Sequence, residues 1–340
     1  MVIFTTSFKK WKMKYTIFIS KKMLEFVFIT GTIIFCLMRE TEIDKYIGDI
    51  DMNILLALVP AIMWGSIGLV SGRLGGSASQ QTLGMTMGAV IFSLVTLVIY
   101  QPTLNGKIWI AGLISGLFWA VGQFNQFSSM KHIGVSKTVP ISTGLQLAGN
   151  ALAGVLIWHE WTSGNMIMVG TIAVIALIVG AALTSLKDKS DSTTENDDEN
   201  MPAGIQALTI STIGYIGYTV IVRFANVDAK AIIFPQAVGM LLGAFLFVFF
   251  AKETDQIAKK PTFLNITTGL IWGIGNIFMF LAIPSVGLAI SYSLAQAGIV
   301  ISTFGSIWLL GERKTHREMQ FVIIGSILII IGETLLATLK

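Results

Sequence analysis

The chain has 340 residues, of which 54% are hydrophobic and only 12% charged, with a formal net charge of +4. Soluble domains carry roughly a quarter charged residues, so the composition excludes an ordinary soluble enzyme, and the scattered cations do not form a nucleic-acid footprint. The single Cys36 excludes an intrachain disulfide framework, and His132, His159 and His316 lack metal-ligand spacing, so no metal and no cofactor is expected.

Residues 1–51 open the chain with a basic stretch, Lys9 to Lys22, and an apolar run from Met23 to Met38 that is short for a membrane span. Two readings stay open: an extra N-terminal helix with its basic end inside, or a coding start at Met52, which is slightly preferred. Five apolar segments follow, at about 53–71, 82–100, 108–130, 135–158 and 165–186. Each is about the length that crosses roughly 30 Å of hydrocarbon as a helix. The acidic, polar stretch 188–202 reads as a disordered tether. Five further spans are expected at about 203–222, 234–250, 263–282, 286–310 and 320–338.

The second set repeats the first. Gln81-Thr-Leu-Gly84-Met85 returns as Gln236-Ala-Val-Gly239-Met240, and Gly116-Leu-Phe-Trp119 returns as Gly269-Leu-Ile-Trp272. Ala57 and Arg73 are echoed by Ala207 and Arg223, and Glu160 by Glu312. Residues 52–187 and 203–340 are therefore two copies of one unit. Five helices per copy is an odd number, so the second copy enters the membrane from the opposite side. The predicted fold is all-α and membrane-integral, with ten transmembrane helices in two inverted five-helix repeats. Loops after odd-numbered spans carry most of the cations, among them Arg73, Lys131, Lys252 and Lys314, whereas those after even-numbered spans carry only Lys107, Arg223 and Lys230. The positive-inside rule makes the first set cytoplasmic.

The chain has no phosphate-cradling Gly-Lys-Ser/Thr loop and no His-Glu-x-x-His site, so the chemistry must lie inside the bundle. Polar side chains within spans are costly unless paired or facing a cavity. Trp119, Gln123 and Gln126 share one face of the third span, and Gln146 and Asn150 share one face of the fourth. Trp272 and Asn276 repeat the Trp119/Gln123 pair, and Gln296 stands in the ninth span. Uncharged amides beside tryptophans suit a sugar: hydroxyls need donors and acceptors, and C–H faces stack on rings. The competing reading is that such amides only join helices. The Gly-x-x-x-Gly pairs Gly84/Gly88, Gly112/Gly116, Gly239/Gly243 and Gly269/Gly273 read as close helix crossings. For proton coupling the candidates are Glu160, Glu333 and Glu312; only Glu333 lies well inside a span.

Gly116-Leu-Phe-Trp-Ala-Val-Gly-Gln-Phe-Asn-Gln126, Val139-Pro-Ile-Ser-Thr-Gly-Leu-Gln146 and Leu310-Gly-Glu-Arg-Lys314 resemble the bacterial glucose uptake proteins. These belong to the glucose/ribose porter family of the drug/metabolite transporter superfamily. The resemblance covers about 52–340 and implies a multi-pass protein of the bacterial plasma membrane. It implies uptake of a monosaccharide, glucose by proton symport, through alternating access. A homodimer is compatible with it. Ribose uptake and drug or metabolite export are the alternatives among transporters; outside that class stand a membrane sugar sensor and a flippase subunit. The 1–51 extension departs from the family's pattern.

Overall fold

A computed structural model describes residues 52–186, 199–286, 294–295, 297–312 and 314–339. The N-terminal extension, most of the central linker and Gln296 lie outside the described residues. The described chain is helical, with no strand. In order the helices are α1 (Met52–Leu74), α2 (Ala78–Tyr100), α3 (Gly106–Ile133), α4 (Val135–Trp158), α5 (Gly164–Ser185), α6 (Met201–Ala225), α7 (Ala229–Phe250), a short α8 (Lys260–Leu264), α9 (Ile266–Val286), α10 (Gly298–Gly305) and α11 (His316–Ala337). Among the described residues nine helices are long and apolar enough to cross a membrane. The expected span at 286–310 is described mainly as an apolar helix, Gly298–Leu310, whose last turn is a π-helix. The helices carry their apolar residues all round, and Leu156, Phe224, Phe250 and Trp308 stand largely exposed on the outside. Such surfaces suit lipid, where only helices and closed barrels satisfy every backbone group.

Local chemistry sets the helix ends. Ser77 and Thr315 form capping boxes with Gln80 and Glu318 at the starts of α2 and α11. Asn105, Ser163, Asn200 and Asp228 cap α3, α5, α6 and α7 with their side-chain oxygens. A single residue, Gly134, separates α3 from α4 at φ +79°, ψ 167°, a conformation that is essentially glycine's alone. The span expected at 263–282 starts earlier and is broken. Pro261 opens α8, and the fully buried Asn265 interrupts it by returning its amide to the Pro261 and Gly75 carbonyls.

The glycine pairs act as the sequence reading expects. A Cβ at Gly88 would run into the Ile266 carbonyl, and one at Gly269 into the Met85 carbonyl, so α2 and α9 cross backbone to backbone. A Cβ at Gly116 would strike the Gln236 carbonyl, and one at Gly239 the Leu113 carbonyl, which joins α3 to α7 in the same way. Equivalent glycines of the two copies thus make equivalent crossings, each between one copy and the other. These seams pair α2 with α9 and α3 with α7, and a polar centre lies between α1, α3, α4, α6, α9 and α10.

Candidate functional site

The centre is a cavity of about 300 Å³. Seven of the eight residues expected to meet substrate line it: Trp119, Gln123, Gln126, Gln146, Asn150, Trp272 and Asn276. The eighth, Gln296, lies outside the described residues. The two repeated tryptophans meet edge to face there, with ring centroids 5.7 Å apart. The Trp64 indole N–H donates to the Trp272 carbonyl at 3.2 Å and ties α1 to the same point. Among the described residues, no Asp, Glu, Lys, Arg or His lines the cavity. Whatever binds here meets amides, hydroxyls and rings.

Every one of these amides is held by a hydrogen bond, and Gln123, Gln126 and Gln146 are joined in one chain. Tyr215 on α6 places its hydroxyl 2.8 Å from the Gln123 amide oxygen and 3.0 Å from that of Gln126. The Gln126 amide N–H donates to Ser142 Oγ at 2.9 Å, and Gln146 donates to the same oxygen at 2.8 Å. Thr219, one turn beyond Tyr215, donates to the Asn150 amide oxygen. Asn276 donates to the Trp272 carbonyl at 2.8 Å. Several groups are not consumed by these bonds: the Asn150 amide N–H₂ and the Gln146 and Asn276 amide oxygens. They give the cavity both donors and acceptors. A buried network in which the members orient one another is stiff, so these free groups hold fixed positions.

Sequence reading missed Tyr215, Tyr218, Thr219 and Trp64, all of which line the cavity. Trp119 and Gln123 recur in the second copy as Trp272 and Asn276, whereas the tyrosines have no polar counterpart in the first. At the register that matches Ala57 with Ala207 and Arg73 with Arg223, Tyr215 and Tyr218 correspond to Gly65 and Gly68. A Cβ at Gly65 would collide with the Gly298 backbone. In the first copy these glycines line the same cavity without a side chain, and Gly65 also closes a helix contact; in the second copy the positions supply phenol hydroxyls. The signal that could have found the tyrosines is their own spacing, with Tyr215, Tyr218 and Thr219 on one face of an apolar span.

None of the three candidate acids lines the cavity. Glu333 is 4% exposed in α11, away from the amides. Glu160 pairs with Arg223, which also lies over the Trp158 ring at 4.3 Å. Glu312 accepts from the Val135 and Ser136 backbone N–H groups at 2.6 and 3.1 Å and so caps the start of α4. Around Glu312, the nearly inaccessible Lys137 pairs with Glu199 at 2.7 Å. Burial first, and then the neighbouring Lys137, lower the Lys314 ammonium to about 8, against the pull of Glu312, Glu318 and Glu199.

The family profile described as sugar transport protein matches residues 55–339. The glucose uptake protein GlcU of Bacillus subtilis (strain 168) is 46% identical over 289 residues, covering 85% of this chain and 99% of its own length. A Lactiplantibacillus plantarum relative named for sugar uptake is 59% identical, and a Priestia megaterium relative named for glucose uptake is 48% identical; each matches over 85% of this chain and all of its own length. A solved crystal structure that is 15% identical superposes with a TM-score of 0.52 over 83% of this chain and 95% of its own, which speaks to fold alone. The relatives are named for sugar or glucose uptake, and the nine helices among the described residues that are long and apolar enough to cross a membrane agree with a multi-pass membrane protein. This chain belongs to the sugar transport protein family.

Proposed function

We propose that the chain takes up a single monosaccharide, glucose before ribose, by alternating access around the central cavity. The observation that carries this reading is the wall itself: seven expected amides and tryptophans gathered on one cavity, with no Asp, Glu, Lys, Arg or His lining it among the described residues. Ligand pockets run from about 300 to 1,000 Å³, and this one sits at the small end. That suits one sugar ring better than a bulky amphipathic drug. The name of the Bacillus subtilis relative favours glucose.

The two copies, 52–187 and 203–340, are the moving parts of this reading, related by inversion, with 188–202 as their tether. The face that holds Arg73, Lys252 and Lys314 is taken as cytoplasmic. There Glu312 of the second copy is clamped on the first turn of α4, and Arg73 of the first donates to the Leu309 carbonyl at 2.8 Å. On the outer face the equivalent residues, Glu160 and Arg223, form one half-exposed ion pair. This arrangement supports a state closed to the cytoplasm, with the outer end held more loosely.

Uptake is driven by proton symport in this reading. With the candidate acids away from the amides, the proton acts on closure and not on the sugar. Protonating Glu312 weakens its grip on α4, and protonating Glu160 releases Arg223. Uptake of labelled glucose by proteoliposomes that hold only this protein tests the reading, with and without an inward proton gradient. Gradient-stimulated accumulation that excess ribose leaves intact is expected. Strong competition by ribose would move the assignment to the pentose. Absence of sugar flux under any gradient would return the protein to the exporter or sensor readings.

A further inference from the structure

Beside the central cavity lies a second, smaller one of about 110 Å³. Tyr218, Trp272 and Asn276 line both. The rest of the small chamber is Phe92 from α2, Val222 from α6, Ile232 and Ile233 from α7, and Gln236. Each of its two amides spends one of its N–H groups inside the protein. Gln236 donates to Ser115 Oγ at 3.0 Å, and Asn276 to the Trp272 carbonyl. A buried water needs two to four polar partners, and voids lined by apolar side chains stay dry. Phe92, Val222, Ile232 and Ile233, with the Trp272 ring, make most of the chamber wall apolar, which favours an alkyl occupant there over a second sugar ring.

An alkyl group in the chamber would pack against these side chains. The route is short, because the doorway side chains are the ones that flank the sugar position.

We propose that the chamber is a second subsite that takes a short O-alkyl substituent, so that small alkyl glycosides bind with the ring in the central cavity and the alkyl group between Tyr218 and Trp272. This rests on the monosaccharide reading of the central cavity. Its size sets the chain length. At roughly 30 Å³ for a water-sized group, which is also about the bulk of a methylene, 110 Å³ holds about four such groups. An alkyl glycoside that spans both cavities also bridges the helices that must move apart, so it acts as an inhibitor more than as a substrate.

The test is inhibition of labelled glucose uptake in proteoliposomes by methyl, ethyl, propyl, butyl and hexyl glucosides of each anomer, with unlabelled glucose as the internal reference. For one anomer the inhibition constant is expected to fall about threefold to fourfold per added methylene, and to level off near butyl. Ile232→Trp, which fills the chamber from α7, should flatten the series while glucose itself still competes as in the unmodified protein. Val222→Phe narrows the chamber from α6 and should stop the gain at a shorter chain; it covers the case in which the larger Ile232 change folds poorly. Self-competition by glucose with a flat alkyl series for both anomers overturns the subsite alone. A chain-length gain that survives both substitutions also overturns it. Failure of unlabelled glucose to compete overturns the monosaccharide reading, and the subsite with it.

Discussion

The two ends of the bundle use matched residues in unequal ways. Arg73 and Arg223 end equivalent helices, and Glu312 and Glu160 follow equivalent ones. At the lysine-rich end Glu312 takes two backbone N–H groups of another helix, beside an almost inaccessible Lys137–Glu199 pair. At the other end Glu160 and Arg223 meet with 38% and 49% of their side chains exposed. Charge-assisted hydrogen bonds away from water contribute more than exposed ion pairs, which are worth about 0–1 kcal/mol. The repeated sequence supplies the same residues to both ends, and the structure engages them more tightly at the lysine-rich one. The lesson is that internal sequence symmetry identifies the parts but not which of them is engaged.

The most disruptive way to break that asymmetry is Gly134→Ala. The residue sits at φ +79°, and a Cβ there would approach the Glu312 carboxylate to 2.9 Å. Backbone strain of about 1–3 kcal/mol adds to the displaced cap. We expect a clear loss of thermal stability in detergent and uptake below a tenth of the parent's; an unchanged melting temperature would show that the cap contributes nothing. Glu312→Gln is the cleaner cut. It keeps the shape and removes the charge that strengthens two hydrogen bonds, at a cost of roughly 1.5–3 kcal/mol if both weaken. A cysteine placed at Met130, on the cavity wall toward the lysine-rich end, should then react on the order of tenfold faster with a reagent added from that side.

Tyr215→Phe moves the comparison to the centre. It keeps the ring against Trp119 (centroids 6.4 Å) and removes the hydroxyl that orients Gln123 and Gln126. One buried hydrogen bond is worth about 1 kcal/mol, and two amides lose their reference point. We expect KM for sugar to rise about tenfold with normal membrane insertion. A fall in maximal rate at constant KM would instead assign the hydroxyl to the moving step.

The centre also shows how far the sequence could be read. Trp119, Gln123 and Gln126 were visible because an amphipathic stripe in a membrane span has few explanations, and Trp272 and Asn276 because they repeat it. Ten spans are expected from apolar length, and among the described residues nine helices are long and apolar enough to cross a membrane. Tyr215 was missed because its counterpart is Gly65, and repetition hides whatever only one copy has. The Glu312 cap was hidden for another reason. Glu312 follows a helix end in sequence, where a solvated carboxylate is ordinary, and its partners Val135 and Ser136 are 177 and 176 residues away.

A pH scan sharpens the lysine-rich end with a smaller effect. Lys314 titrates at about 8 in the folded protein and near 10.5 when unfolded. Below pH 8 the native state bears the full cost of burying the charged amine. Between about 8 and 10.5 the unfolded chain holds more protons at this site than the native one, so this group makes stability rise with pH. The melting temperature of Lys314→Met should lack that rise, and an equal rise in both proteins would assign it elsewhere. The smallest effect is expected from Glu160→Gln, which removes an exposed pair and should change uptake less than about threefold. A loss as large as that of Glu312→Gln would overturn the unequal reading of the two ends.

The central claim is that the neutral, tryptophan-lined cavity holds the sugar. Calorimetric titration of the purified, monodisperse protein with glucose addresses it most directly, beside Gln123→Ala and Trp272→Ala variants shown to fold by their elution and melting profiles. Saturable binding that weakens at least tenfold in both variants is the predicted result. Binding of equal affinity in all three proteins would place the sugar somewhere other than this cavity.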